Sequence, residues 1–280
     1  MNIRTIRKKI KSVTNVKKIT KAMQLVSAIK MKKAQQVAVD GRPYQTEIEK
    51  IIRAVSPKID PSLSPLISQS DDKVERKNWA IVIASNKGLC GSFNFNLLRF
   101  IVKNTDFKNT DFIIVGKKAN LLSKFSAHIM ADYSSNIPLN NVSALFEFAL
   151  NKYLDRTYKK IDLYHNQFVS TIHSEPVVTT LLPIKMELGQ EKNSEYLIEP
   201  SPKKIIDSLL RSFVEEKLRF ALIQSEAGEH SLRMMAMKNA TDNATDVIYN
   251  LTMVRNKIRQ EKITSELLDM VTAKESVESN

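Results

Sequence analysis

The chain has 280 residues and a formal net charge of +13, with 42% apolar and 26% charged residues. That length leaves room for one to three domains, and the apolar share supports a modest core rather than a large enzyme over the whole length. The single cysteine, Cys90, excludes an internal disulfide; no apolar run reaches the ~18–20 residues of a bilayer span; and the basic start lacks the apolar segment and cleavage site of a secretory signal.

Residues 3–55 are predicted as one long helix. Apolar side chains fall at Ile3, Ile6, Ile10, Val13, Val16, Ile19, Met23 and Val26, which is a seam and not an even apolar surface. The successive steps of three depart from a strict heptad and predict local overwinding. An Arg/Lys-rich amphipathic start imitates a transit peptide, but the periodicity runs far past the end of one. Gly41 and Pro43 predict a kink or short break, after which Tyr44, Ile48, Ile51 and Val55 resume the pattern. Residues 59–74, with Pro61 and Pro65, read as a linker.

Residues 75–185 read as an inserted α/β domain. Trp79–Ala84 is a short buried strand, and the loop SNKGLCGSFN at 85–94 leads into a helix near 95–103. Strands follow at 112–115 and 127–133, with a helix at 117–125 between them. An amphipathic helix at 141–157 precedes strands at 161–169 and 177–182. Such alternation with short connections predicts a mostly parallel, Rossmann-like sheet covered by helices.

Residues 186–202 form a second linker, ending in Pro200 and Pro202. From Lys203 to about Lys274 there is no proline and one glycine, Gly228. Ala240, Ala244, Val247, Leu251, Val254 and Ile258 repeat as a heptad. The last residues are polar and expected to fray. Neither long helix is stable alone with a bare apolar seam. The expected fold class is therefore α/β with long helices. Residues 1–58 and 203–280 pair as a discontinuous antiparallel coiled-coil shaft, which carries the Rossmann-like domain.

The glycine loop follows a strand and precedes a helix, as a nucleotide site would. It lacks both G-x-x-x-x-G-K-[ST] and G-x-G-x-x-G, so a tight strand-to-helix turn is the better reading. Cys90 in that turn reads as a small buried hydrophobe. The four histidines show no metal-ligand spacing, and no catalytic pair, cofactor site or metal site stands out. The basic run carries more information. Before Asp40 there are eleven Lys/Arg and no Asp or Glu. Such a one-sign face repels itself and favours an acidic partner. Nucleic acid is an alternative partner, giving a basic coiled-coil binding or scaffold protein, but no aromatics interleave the run for base stacking. On spacing alone Met23 is a core methionine, while Arg233, Arg259 and Gln260 are ordinary helix-surface residues.

Four segments, in order and over essentially the whole chain, carry a resemblance: ITKAMQLVSAIKMKKAQ at 19–35, SNKGLCGSFN at 85–94, LRMMAMKNATDNA at 232–244 and VRNKIRQEKITSEL at 254–267. Together they resemble the gamma subunit of F-type ATP synthases. The resemblance implies a non-catalytic rotor shaft standing inside a hexamer of alternating alpha and beta subunits. The α/β domain would lie near the ring of membrane c subunits, with the epsilon subunit beside it. It implies beta-subunit contacts at Met23, Lys30, Arg233, Arg259, Gln260 and Thr264, and an epsilon- or ring-side position for Glu199. No cofactor is implied, and nucleic acid is not among the implied partners. The lack of a leader favours the cytoplasmic side of a bacterial inner membrane, reached through the complex only. Asn86 stands where the family often has Asp, so the loop is expected to be held differently. Ile29 stands where small residues are common, which questions close packing there. Cys90 alone forms no regulatory disulfide.

Overall fold

A computed structural model describes residues 2–55, 64–67, 76–135, 138–184, 199 and 202–278. The linker readings 59–74 and 186–202 therefore lie mostly outside the described residues. The chain forms two compact units: Met1–Val26 with Met234–Asn280, and Ser27–Arg233. Both long helices are present, α1 over Ile3–Val55 and α4 over Pro202–Glu278.

The larger unit is built on five strands: β1 Lys77–Ile83, β2 Thr110–Val115, β3 His128–Asp132, β4 Tyr158–Ser170 and β5 His173–Leu182. Their order is β3-β2-β1-β4-β5. All pairs are parallel except β4 with β5, which forms an antiparallel hairpin. β1 and β2 are apolar along nearly their whole length because helices cover both faces. On one face Ala80, Val82, Phe112, Ile114 and Tyr164 pack with Leu97, Leu98 and Ile101 of α2 (Phe93–Asn104). Ala119 and Leu122, from the 3-10 helix Lys117–Phe125, complete that layer. On the other face Trp79, Ile81, Ile113 and Leu163 pack with Leu145, Ala149 and Tyr153 of α3 (Val142–Leu154). The same core takes in Ile48, Ile52 and Val55 of α1 and Ile206, Leu210, Leu218 and Leu222 of α4.

The structure moves several expected boundaries. α1 runs unbroken through Gly41 and Pro43. Proline forfeits one backbone hydrogen bond, and the buried Ile48, Ile52, Ala54 and Val55 hold the helix beyond it. Residues 117–125 are helical but of the tighter 3-10 form. The helix expected over 141–157 stops at Leu154, since Arg156 takes a left-handed φ of 55°. β5 begins at His173, four residues earlier than its apolar run. Pro176 is tolerated there because β5 is an edge strand.

The seam of α1 is also corrected. Val16, Ile19 and Val26 are about half exposed, at 49%, 59% and 54%. The inward positions instead recur every seven residues: Ile6, Val13, Thr20, Ser27, Ala34, Gly41, Ile48 and Val55 are each buried or half-buried. Between Thr20 and Gly41 the heptad is kept by small and polar side chains. Within the smaller unit the hydroxyls of Thr20 and Thr241 meet at 2.7 Å. Around Thr241 the inward residues of α4 are Met237, Ala244, Ile248, Leu251 and Ile258, with Val247 and Val254 turned out. Ile29, on which close packing had been questioned, is 70% exposed and faces away from the seam.

Below the sheet, Trp79 stacks on Tyr158 at 4.8 Å. Tyr158 donates to Asp111 at 2.9 Å, and Lys77 and His128 reach the same carboxylate at 3.1 Å. Burial opposes ionisation of Asp111, but these three hydrogen bonds outweigh it and hold the carboxyl below its ordinary value. A depressed folded-state value stabilises above the ordinary carboxylate range, and that stability is lost as pH falls through the folded value. Tyr158→Phe is expected to cost about 1–3 kcal/mol near neutral pH. In urea titrations the deficit should shrink as Asp111 protonates; a deficit independent of pH would contradict the assignment.

Candidate partner-contact site

The chain passes from β3 through α3 to β4, on the far side of β1. The carboxyl ends of β1 and β4 therefore flank a topological switch point, where open α/β sheets commonly hold ligands. Here the chain's own loops fill the neighbourhood of β1 and β2. Gly116, at φ 108°, comes so close that a Cβ on it would lie 2.0 Å from the Ala84 carbonyl oxygen. Lys118 N–H donates to the Ser85 carbonyl at 3.0 Å. Asn86 staples three loops: its Oδ1 accepts from Lys117 N–H at 3.2 Å and its Nδ2 donates to the Ser135 carbonyl at 2.6 Å. An aspartate in this place would have no N–H to donate to Ser135.

Cys90 is buried, and Asn94 Nδ2 donates to its sulfur at 3.2 Å. Asn94 Oδ1 in turn accepts from Ser85 N–H at 3.1 Å. Leu89, between Gly88 and Cys90, has φ 63° and is 62% exposed. Among the described residues no group of three or more His, Cys, Asp and Glu gathers as a metal site.

α4 docks on this domain through residues 224–233. Phe168 N–H donates to Gln224 Oε1 at 3.2 Å, and Ser231 Oγ donates to the Thr171 carbonyl in a short bond. Gly228 permits the approach, since a Cβ there would meet Ser174 Oγ at 2.6 Å. Arg233 completes the contact. Only 7% exposed, it corrects the reading as a helix-surface residue. Its Nη2 donates to the Lys87 carbonyl at 2.9 Å and its Nε to the Gly88 carbonyl at 3.3 Å. Spacing had no means of finding this clamp, because the acceptors are backbone atoms 145 and 146 residues away.

The other named residues lie apart. Lys30 is exposed on α1, and with Lys33 it faces Glu226 of α4. A hydrogen bond from His230 is the main influence holding the Glu226 carboxyl below its ordinary value; burial opposes it, and the two lysines add to it. In the smaller unit Met23 is half-buried amid the exposed Val16, Ile19 and Val26, so it borders an outward apolar stripe, not the core its spacing suggested. Arg259, Gln260 and Thr264 all belong to residues 259–274, which are exposed throughout. Ile263, Leu267, Leu268, Met270 and Val271 are between 48% and 67% exposed on the same stretch. Isolated single apolar residues are normal on a surface, but a sustained run marks an interaction site. Glu199 is exposed.

Two long helices, an inserted doubly wound domain and apolar surface left open on the helices define a subunit of a larger assembly. The chain belongs to the ATP synthase gamma chain family. A family model described as ATP synthase matches residues 2–277. The gamma chain of Akkermansia muciniphila is 34% identical, covering 99% of both chains. That of Dehalococcoides mccartyi is 36% identical, covering 96% of this chain and 97% of the relative. The fold is similar to chains in the rotor of Euglena gracilis mitochondrial ATP synthase (TM-score 0.64, 16% identity, 93% and 98% of the two chains). It is also similar to one in the Tetrahymena thermophila central stalk and c-ring (TM-score 0.58, 23% identity, 79% and 99%).

Asn86→Asp is expected to lose the donor to Ser135 and leave a carboxylate facing a carbonyl, costing about 1–3 kcal/mol. Thermal unfolding of the full chain measures it, and an unchanged midpoint would rule out the staple.

Proposed function

We propose that this chain is the central, non-catalytic rotor shaft of an F-type ATP synthase, coupling proton flow through the membrane sector to ATP synthesis at the beta subunits. Family membership over essentially the full length supports this. The observation that carries the mechanism is the exposed stretch 259–274 of α4. Its apolar side chains need a partner, and a sleeve formed by alternating alpha and beta subunits supplies one. The shaft is assigned to residues 1–58 and 203–280, and the domain toward the c-subunit ring and the epsilon subunit to 75–185. Nothing in this scheme requires the chain to make or break bonds.

Turning demands contacts that hold and release. Exposed ion pairs are worth only about 0–1 kcal/mol, so a cationic face meeting acidic beta loops is attracted without being locked in one register. Met23, Lys30, Arg259, Gln260 and Thr264 are assigned to such contacts, and Glu199 to the epsilon or ring side. Arg233 serves the same interface, with its donors turned inward to the glycine loop. No described helix is long and apolar enough to cross a membrane. The assigned location is peripheral, through the complex, on the cytoplasmic side of a bacterial inner membrane.

Affinity purification of the chain from its own membranes tests this reading. Recovery of alpha and beta subunits in excess over it, with ATPase activity in the eluate, is expected; recovery of the chain alone or with nucleic acid would contradict it. Met23→Lys should add a cation able to tie the shaft to an acidic beta loop. Assembly should survive while protons pumped per ATP hydrolysed fall; a normal ratio would remove Met23 from the interface.

A further inference from the structure

We propose that His230 is an acid-sensitive latch on the Arg233 clamp: while neutral it holds the guanidinium that ties the glycine loop to α4, and on taking up a proton it lets go. The latch lies wholly within this chain and stands apart from the rotor reading.

An arginine side chain carries donors only. Nη1 of Arg233 lies 3.2 Å from His230 Nδ1, so Nδ1 must be the acceptor and the ring must be neutral, with its proton on Nε2. Nε2 in turn faces the Glu226 carboxylate, 3.7 Å away. The guanidinium is thus held along every edge. Nη1 also pairs with Glu229 at 2.7 Å, Nη2 donates to the Lys87 carbonyl and Nε to the Gly88 carbonyl. His230 and Arg233 are each 7% exposed, which leaves water little access to replace a lost contact.

A further proton on the ring places an N–H on Nδ1, opposite the N–H of Arg233. Two cations then stand side by side in a buried place, and low exposure strengthens their repulsion. The surrounding charges decide which group moves. On α4, Glu229 retains the guanidinium and Glu226 attracts the imidazolium. From α1, Lys30 and Lys33 face Glu226. The glycine loop brings Lys87, with Lys118 passing beside Gly88. The β4–β5 turn, fastened through Ser231, leads into His173, which is already paired with Glu175 at 2.8 Å. The carboxylate beside Nε2 is that of Glu226, so the charged ring is drawn toward it and away from Arg233. The tie is whole while His230 is neutral and loosens as pH falls and the ring charges.

Cys90, the only cysteine and 2% exposed, reports on the loop. Its reaction with dithiodipyridine, which still proceeds in acid, is timed in the folded full chain and in the chain unfolded in urea at each pH. The ratio of the two rates gives a protection free of the thiol's own titration. From about pH 8 to about pH 5.5 that protection should fall at least about fivefold. The amide of His230→Gln accepts from Arg233 but gains no proton, so its protection should stay constant over the same range. Long-range nitrogen–proton NMR of the unaltered chain should show the Nε2–H form of His230 at about pH 8. Protection independent of pH in the unaltered chain, an equal fall in His230→Gln, or an Nδ1–H ring would each overturn the latch.

Discussion

The close approach of α4 to the sheet at Gly228 is the constraint on which the larger unit depends. A Cβ there would stand 2.6 Å from Ser174 Oγ, so any side chain at this position forces Ser174 to shift. With the helix that near, Gln224, Ser231 and Arg233 reach backbone groups of β4, of the β4–β5 turn and of the glycine loop. A helix one side chain further out would leave those polar groups unpaired, at a cost in buried donors and acceptors. The α/β domain is thus fastened to α4 by hydrogen bonds as well as by the apolar core beneath it.

The long helices use a different device. The inward positions of α1 carry small or polar groups at Thr20, Ser27, Ala34 and Gly41, with the large apolar Ile6 and Val13 before them and Ile48 and Val55 after them. Much of the large apolar surface of α1 before residue 40 points outward instead, beside a row of cations with no carboxylate among them. A self-contained protein would do the reverse. Distribution of this kind suits a subunit that is completed by the surfaces around it, with apolar groups supplying contact and cations supplying attraction that no single register locks.

The sheet was legible because parallel strands buried on both faces are written as continuous apolar runs, as in WAIVI of β1 and FIIV of β2. Strand ends were not, since the half-exposed ends of β4 and β5 carry polar residues and Pro176. Both long helices were legible, but the seam of α1 was misplaced: following apolar residues alone skips Thr20 and Ser27, whereas counting strictly by sevens from Ile6 finds them. The loop clamp was illegible for a physical reason. Arg233 and Asn86 act on backbone carbonyls and amides, which every residue possesses, so nothing in the sequence marks the partner.

Rotation of the chain inside its complex is the central claim, and it can be watched directly. With the alpha and beta subunits immobilised and a probe fixed to the α/β domain, addition of ATP should drive the probe around in one direction. ATP hydrolysis at full rate with the probe stationary would contradict the account.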